Sequence, residues 1–324
     1  MTQKLQLADT LAENFLIGAH SLAAGCPVVP GVGESLAALR EVLTDTGDAL
    51  PVDQISLTIP EALTLCVTTL NTMVTVAMMS DEEDLPPESA AVLAEIVGEM
   101  SSCLGAALRR ENADRIRGLY VIIDPEVTGG RDPLEIAQAA VRGGAKMLQL
   151  RDKLRDKGEI LPLAEALQTL CEDNDALLIV NDHVDLAASI GSGGVHVGQT
   201  DLPVAQARMI LGPQQVLGRS NREIDLLIES QEMGADHVAF GAIYQTTTKP
   251  GGRGPQGPER LKEARSVTKV PLVAIGGITA DNVGPVIEYG ADAVCVTAAV
   301  GLAPEPEAAA ARLVEAIRLA GGKV

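Results

Sequence analysis

The sequence predicts an α/β protein, a (β/α)8 TIM barrel that follows an N-terminal all-α helical bundle. Two observations carry that expectation. From Gly118 onward, short β-branched runs alternate regularly with stretches of helical spacing, and eight such runs can be counted. Before residue 116 there is no such alternation, and the charge changes too: residues 1–115 hold 17 acidic and 5 basic side chains, residues 116–324 hold 27 and 20. The expected division is therefore a helical domain at 1–115 and a barrel at 116–324.

In the first part, breaks are expected at Pro27 to Gly33, Gly47 to Pro51 and Pro86–Pro87, leaving about four helices packed as a small bundle. The clearest runs from about Pro87 to Arg110. Its Leu93, Val97, Met100, Leu104 and Leu108 recur every three to four residues and make one buried stripe. Arg109 and Arg110 sit near its end, where cations complement the helix dipole.

The second part carries candidate strands at 118–123, 146–151, 177–181, 194–197, 215–219, 237–241, 271–275 and 293–297. Asp132–Pro133 is suited to open the first intervening helix and Gly143–Gly144 to close it. Asp201 with Pro203, and Thr279 with Asp281, are candidate openings of later helices. Strands alternating with helices pair in parallel through right-handed crossovers, and eight units in this length fit a small barrel. A doubly wound open sheet is the runner-up, but the glycine fingerprint after its first strand is missing.

Composition bounds the partners. The chain is 46% hydrophobic and only 2% aromatic, so its cores must be filled by Ala, Val, Leu, Ile and Met. A formal charge of −19 disfavours nucleic acid and anionic lipid, though a few placed cations and N–H groups still suffice for a phosphate. The five cysteines (Cys26, Cys66, Cys103, Cys171, Cys295) are scattered, which suggests buried thiols in a reducing cytosol rather than disulfides or a zinc site. No export signal is visible, so a cytoplasmic location is expected. Residues 62–79 lack charge and approach the length of a membrane span. Five threonines, Asn71 and acidic flanks favour the central helix of a soluble bundle instead.

In a (β/α)8 barrel the chemistry sits at the C-terminal ends of the strands. After the second strand comes Gln149-Leu150-Arg151-Asp152-Lys153, where alternation places Gln149, Arg151 and Lys153 on one side as a phosphate clamp. The third strand ends in Asn181-Asp182 and the fourth near Gly198-Gln199-Thr200-Asp201. Asp182 and Asp201 can converge on one hard cation, Mg²⁺ shared with a phosphate, or each can merely cap a helix. After the sixth strand, Tyr244-Gln245-Thr246-Thr247-Thr248-Lys249-Pro250-Gly251-Gly252 is suited to wrap phosphate oxygens. Gly276-Gly277 and Thr297-Ala298-Ala299 end the last two strands, where small residues let backbone N–H groups approach a phosphate. No Ser–His or Cys–His pairing is suggested, and His196, inside a strand, is expected to be a packed residue rather than a base.

In this order, these fragments, with Gly194-Val195-His196-Val197, Gly218-Arg219-Ser220 and Ala274-Ile275-Gly276-Gly277-Ile278, resemble thiamine-phosphate synthase over about Gly118 to Gly321. The resemblance implies coupling of hydroxymethylpyrimidine diphosphate to thiazole phosphate, with release of diphosphate. It implies Mg²⁺ held by Asp182 and Asp201, and diphosphate oxygens bound by Arg151, Lys153, Asn181 and Lys249. It places Gln149 and Ser220 at the pyrimidine, and Thr246, Thr248, Gly277 and the Thr297–Ala298 backbone at the thiazole phosphate. Arg151, Lys153, Ser220 and Lys249 would carry the catalytic roles. The chain departs from the family at Asn221-Arg222, where a small residue and then His usually stand, and at Ala298, where Ser is frequent. A thiazole tautomerase branch without synthase activity relies on that missing histidine.

Two further readings compete. One is a sugar-phosphate isomerase or epimerase on the same scaffold, using the carboxylates for proton transfer. The other is a catalytically silent barrel that binds a ligand or regulates. For residues 1–115 the expected role is oligomerisation or docking, possible self-association included, against a second activity for which no residue argues.

Overall fold

The computed structural model describes residues 2–45, 55–79, 87–246 and 254–324. The chain divides into two compact units, Met1–Leu108 and Arg109–Val324.

The first unit is helical: α1 (Thr2–Gly25), α2 (Val32–Asp45), α3 (Ile59–Met79) and most of α4 (Pro87–Asp114). Among the described residues its core holds one aromatic side chain, Phe15. Leu22, Leu39, Cys66, Val97, Met100 and Leu104 are buried together, so the stripe expected on α4 does face the core. Ser35 on α2 donates to Glu99 on α4 at 2.9 Å, a polar tie across the bundle. By length and composition two stretches, Ile59–Val76 and Ala91–Asp114, could cross a membrane. In the bundle α3 buries Ala62, Leu63, Cys66, Met73 and Val76 on one side, and leaves Val67 and Val74 exposed on the other.

The second unit is a closed barrel of eight parallel strands in sequential order. The strands are β1 (Gly118–Ile123), β2 (Met147–Leu150), β3 (Leu177–Asn181), β4 (Gly194–Val197), β5 (Val216–Asn221), β6 (His237–Gly241), β7 (Leu272–Ile275) and β8 (Ala293–Val296). They alternate with α5 (Pro133–Arg142), α6 (Lys157–Asp173), α7 (Val184–Ser189), α8 (Val204–Ile210), α9 (Ile224–Glu232), α10 (Pro258–Val267), α11 (Val283–Glu288), α12 (Ala298–Gly301) and α13 (Pro306–Leu319). All eight expected strands form, within a residue or two at their ends, and β1 pairs with β8 to close the sheet. Closure removes both edges that an open sheet would leave, so the doubly wound alternative is excluded.

Period-two alternation sorts every strand into two layers. Leu119, Val121, Leu148, Leu178, Val195, Leu217, Val238 and Phe240 point outward into the helix layer. Tyr120, Ile122, Met147, Leu177, Ile179, Val216, Ala239, Val273, Ala293 and Cys295 fill the interior. The cap at Asp132 forms as expected, its carboxylate accepting from the Leu134 N–H at 2.9 Å. The expected caps at Asp201 and Thr279/Asp281 do not form. Helix α8 opens at Pro203 and α11 at Asn282, whose side chain accepts from the Thr279 N–H instead.

Candidate active site at the C-terminal mouth of the barrel

Continuing the interior layer upward changes its chemistry from aliphatic to polar. Above Met147 comes Gln149, which is buried and donates to the Tyr120 hydroxyl oxygen at 2.6 Å. Burial pushes the Tyr120 phenol well up, so it stays neutral. Two residues further, Arg151 pairs with Asp124, whose carboxylate is almost wholly buried and also accepts from the Glu126 N–H at 3.0 Å. Asp124 therefore aims the guanidinium. The alternation that put Gln149, Arg151 and Lys153 together also puts Tyr120, Ile122 and Asp124 together. Applied to the first strand, it would have found Asp124.

Lys153 reaches across to Asp182. Asp182 adopts a left-handed backbone, φ +61°, a conformation uncommon outside glycine that aspartate enters more readily than most residues. Its N–H donates to the His196 carbonyl at 2.9 Å, which ties the end of β3 to β4. Asp201 turns its carboxylate back to accept from the Gly198 N–H at 2.7 Å. Neither aspartate caps the helix that follows it, because α7 starts after His183 and α8 after Pro203. The Asp182 carboxyl lies within hydrogen-bonding reach of Asp201. Burial, and then that neighbour, raise the Asp201 carboxyl above the usual range, while Lys153 opposes the shift. Two adjacent carboxylates of this kind suit a hard cation. Among the described residues no third His, Cys, Asp or Glu joins them. A divalent ion there would take its remaining oxygen ligands from substrate and water, which is how Mg²⁺ is usually held beside phosphates.

Ser220 is on the interior face of β5, and its hydroxyl is 2.8 Å from His196 Nε2. His196 Nδ1 is in turn 3.2 Å from His237 Nε2. This corrects the expectation that no Ser–His pairing exists. Ser220 and His196 are 24 residues apart in sequence, and the parallel pairing of β4 with β5 brings them together. His196 is buried as expected, but it is hydrogen-bonded rather than merely packed. Both rings fit because residue 218 is glycine. A Cβ there would lie 2.0 Å from His237 Nε2 and 2.5 Å from His196 Nδ1. Burial pushes His196 down to about 4 and His237 well below the ordinary histidine range, so both are neutral near pH 7.

The remaining positions lie where the last strands end. Asn181 closes β3 on the interior side and is paired in register with His196. Gly277 has φ +65°, and a Cβ there would meet the Gln245 carbonyl at 2.3 Å, so the two turns can lie together only with glycine. Thr297 and Ala298 open the short helix α12. Arg131 braces that helix from behind, donating to the carbonyls of Gly301 at 2.7 Å, Ala303 at 2.8 Å and Thr128 at 3.0 Å. Thr246 is described, whereas Thr248 and Lys249 lie outside the described residues. Of the departures, Asn221 faces away from the site, accepting from Ser230 at 2.7 Å beneath α9. Arg222 donates to the Gly254 carbonyl at 2.5 Å.

A hollow of about 320 Å³ lies at the opposite end of the barrel, lined by Arg115, Gln168, Asp175, Gly193 and Gln214 among others. Arg115 is already paired with Asp175 at 3.0 Å, and no C-terminal strand end reaches it. It is not the reaction site.

A closed parallel barrel with a cation pair, two adjacent carboxylates and small residues on its last two strands is a phosphate-handling (β/α)8 enzyme. The thiamine monophosphate synthase family model matches residues 119–300, and the chain belongs to that family. A thiamine-phosphate synthase of Thioalkalivibrio sulfidiphilus is 46% identical over 205 residues, covering 63% of this chain and 96% of that protein. One of Chlorobium luteolum is 43% identical, covering 60% and 90%. Among solved structures, a thiamine phosphate pyrophosphorylase from Pyrococcus furiosus superposes with a TM-score of 0.60 at 30% identity, covering 65% of this chain and 99% of that one. The family is one of transferases, and the fold and activity class expected from the sequence stand.

Proposed function

We propose that the barrel couples hydroxymethylpyrimidine diphosphate to thiazole phosphate, giving thiamine phosphate and diphosphate, at the mouth formed by β2 to β8. The observation that carries this is the Asp182 carboxylate, held beside Asp201 and paired with Lys153. Carboxylates and a cation kept together at the strand ends suit the binding and departure of a diphosphate.

The chemistry asks little of the protein covalently. The C–O bond to the diphosphate ionises to a resonance-stabilised pyrimidine cation, and the thiazole nitrogen attacks the exposed carbon. Charge collects on the departing diphosphate. Arg151, aimed by Asp124, and Lys153 face that charge, and Asn181 and Lys249 complete its binding. Asp182 and Asp201 would hold Mg²⁺, which would neutralise part of the same charge. Gln149 and Ser220 orient the pyrimidine, while Thr246, Thr248, Gly277 and the Thr297–Ala298 backbone hold the thiazole phosphate. Fixing both partners at once turns a bimolecular encounter into a nearly unimolecular one. Because the phosphate contact at Ala298 is a backbone N–H, absence of a serine hydroxyl there weakens the contact without removing it.

The domain roles follow from the same reasoning. The barrel is the catalytic domain, and the helical part serves self-association, with the uncharged exposed face of α3 around Val67, Asn71 and Val74 as its contact surface. The enzyme works in the cytoplasm on small molecules, without nucleic acid or membrane. The test is to mix purified protein, Mg²⁺ and both substrates and follow diphosphate release. Turnover that depends on Mg²⁺ and on both substrates supports the assignment. No turnover in the wild type, or turnover with thiazole phosphate omitted, refutes it.

A further inference from the structure

Among the described residues, the buried polar side-chain atoms without a partner include only one in the barrel's interior layer, Nδ1 of His237. The His237 ring is completely buried, and its other nitrogen faces His196 at 3.2 Å. His196 in turn faces Ser220 at 2.8 Å. Each of these two contacts needs one proton, and one orphan atom decides where both protons sit. An N–H buried without an acceptor loses a full hydrogen bond to water, whereas a bare nitrogen lone pair is the less costly atom to leave alone. His237 therefore carries its proton on Nε2 and donates it to His196 Nδ1. A neutral His196 must then hold its own proton on Nε2 and donate to Ser220 Oγ. Having accepted that bond, Ser220 keeps its hydroxyl hydrogen for a ligand.

We propose that His237 is a positioning residue for the pyrimidine subsite: its N–H anchors the His196 ring, so that His196 donates to Ser220 and Ser220 presents a hydrogen-bond donor to the substrate. The proposal rests on the placement of the pyrimidine at Ser220 given above. It adds two things to that placement. Selectivity at Ser220 is for a ring acceptor such as a pyrimidine nitrogen, and a residue that holds the device in place does not touch substrate. Gly218 belongs to the same device, because only the absence of a Cβ lets the two rings meet.

The tautomers can be read directly. The chain has four histidines, so the imidazole nitrogens of full-length protein labelled with ¹⁵N-histidine are assignable. At neutral pH we expect both His237 and His196 to show protonated Nε2 and bare Nδ1. The variant His237→Leu removes the N–H that anchors the His196 ring, leaves His196 Nδ1 bare, and should raise the KM for hydroxymethylpyrimidine diphosphate about tenfold, the scale of one lost hydrogen bond. The KM for thiazole phosphate should stay within about twofold, since its phosphate is held elsewhere. His237→Gln, which restores an N–H donor at the same reach, should recover the wild-type KM. A protonated Nδ1 on either ring of the wild type overturns the proposal. So does an unchanged pyrimidine KM in His237→Leu, or equal losses in the Leu and Gln variants. If the wild type turns over neither substrate, the assigned function fails while the spectrum still decides the relay.

Discussion

Replacing Gly218 with alanine adds a single methyl group to the barrel interior. The structure puts that methyl 2.0 Å from His237 Nε2, 2.2 Å from its Cε1 and 2.5 Å from His196 Nδ1. All three are far inside van der Waals contact, and both rings are locked by burial on every side. One or both must leave its rotamer, breaking the 3.2 Å contact between them. Overpacking of this kind costs about 1–3 kcal/mol. For a unit of this size that lowers the melting temperature by roughly 2–4 °C per kcal/mol, or about 2–12 °C in all. Differential scanning calorimetry of Gly218→Ala provides the first measurement. The decisive one is the double variant Gly218→Ala/His237→Ala, in which the vacated ring volume accepts the new methyl. Its melting temperature should be no lower than that of His237→Ala alone, because the two sites share one space and their effects cannot add. Full wild-type stability in Gly218→Ala, or strictly additive losses in the double variant, would refute the packing argument.

Other outcomes follow from the same geometry. Asp182→Ala should reduce diphosphate release by at least about a hundredfold, since it removes a proposed cation ligand and the partner of Lys153. Near-normal turnover in that variant would contradict the placement of the site. Asp124→Asn keeps an acceptor for the Glu126 N–H but loses the charge that aims Arg151. We expect kcat/KM to fall about tenfold to a hundredfold with the fold intact by circular dichroism. Arg131→Met removes the brace behind α12 and should cost about 2–4 kcal/mol in urea unfolding, with the larger kinetic change in the KM for thiazole phosphate. Stability should also depend on acid in a defined window. His196 has a folded pKa of about 4 against 6.5 when exposed, so below pH 6.5 the unfolded chain takes up a proton that the folded chain refuses. The stability present above pH 6.5 is therefore lost progressively down to about pH 4, by roughly 3 kcal/mol for this one ring, and His237 adds to the loss in the same direction. Urea midpoints at pH 7.5, 6 and 5 check the sign, and a flat profile would count against a neutral buried pair.

Much of the site was legible because it lies on consecutive residues. Gln149, Arg151 and Lys153 share a face by alternation alone, and Asn181–Asp182 and Asp201 sit where strands stop. The pattern did not reveal which of two roles an aspartate takes. Asp201 precedes a helix and so looks like a cap, yet its carboxylate turns back to Gly198. The Asn221-Arg222 departure looked like a change in the site. Its first residue, Asn221, points outward to Ser230, because it follows Ser220 by one residue and a strand reverses its side chains at each step, while Arg222 donates to the Gly254 carbonyl.

The sequence by itself determined the eight strands, the parallel order and the end of the barrel that carries chemistry. These follow from local hydrophobic period and from turn residues, which every short segment expresses independently. Only the tertiary structure decided what meets inside. Asp124 finds Arg151, Lys153 finds Asp182, and His237, His196 and Ser220 form one line, through contacts between residues 24 to 41 apart in sequence. Such meetings depend on the register between paired strands, which no strand fixes by itself. A histidine in a strand reads the same whether it only packs or also hydrogen-bonds. Gly218, where a single Cβ would not fit, is what lets this one meet His237.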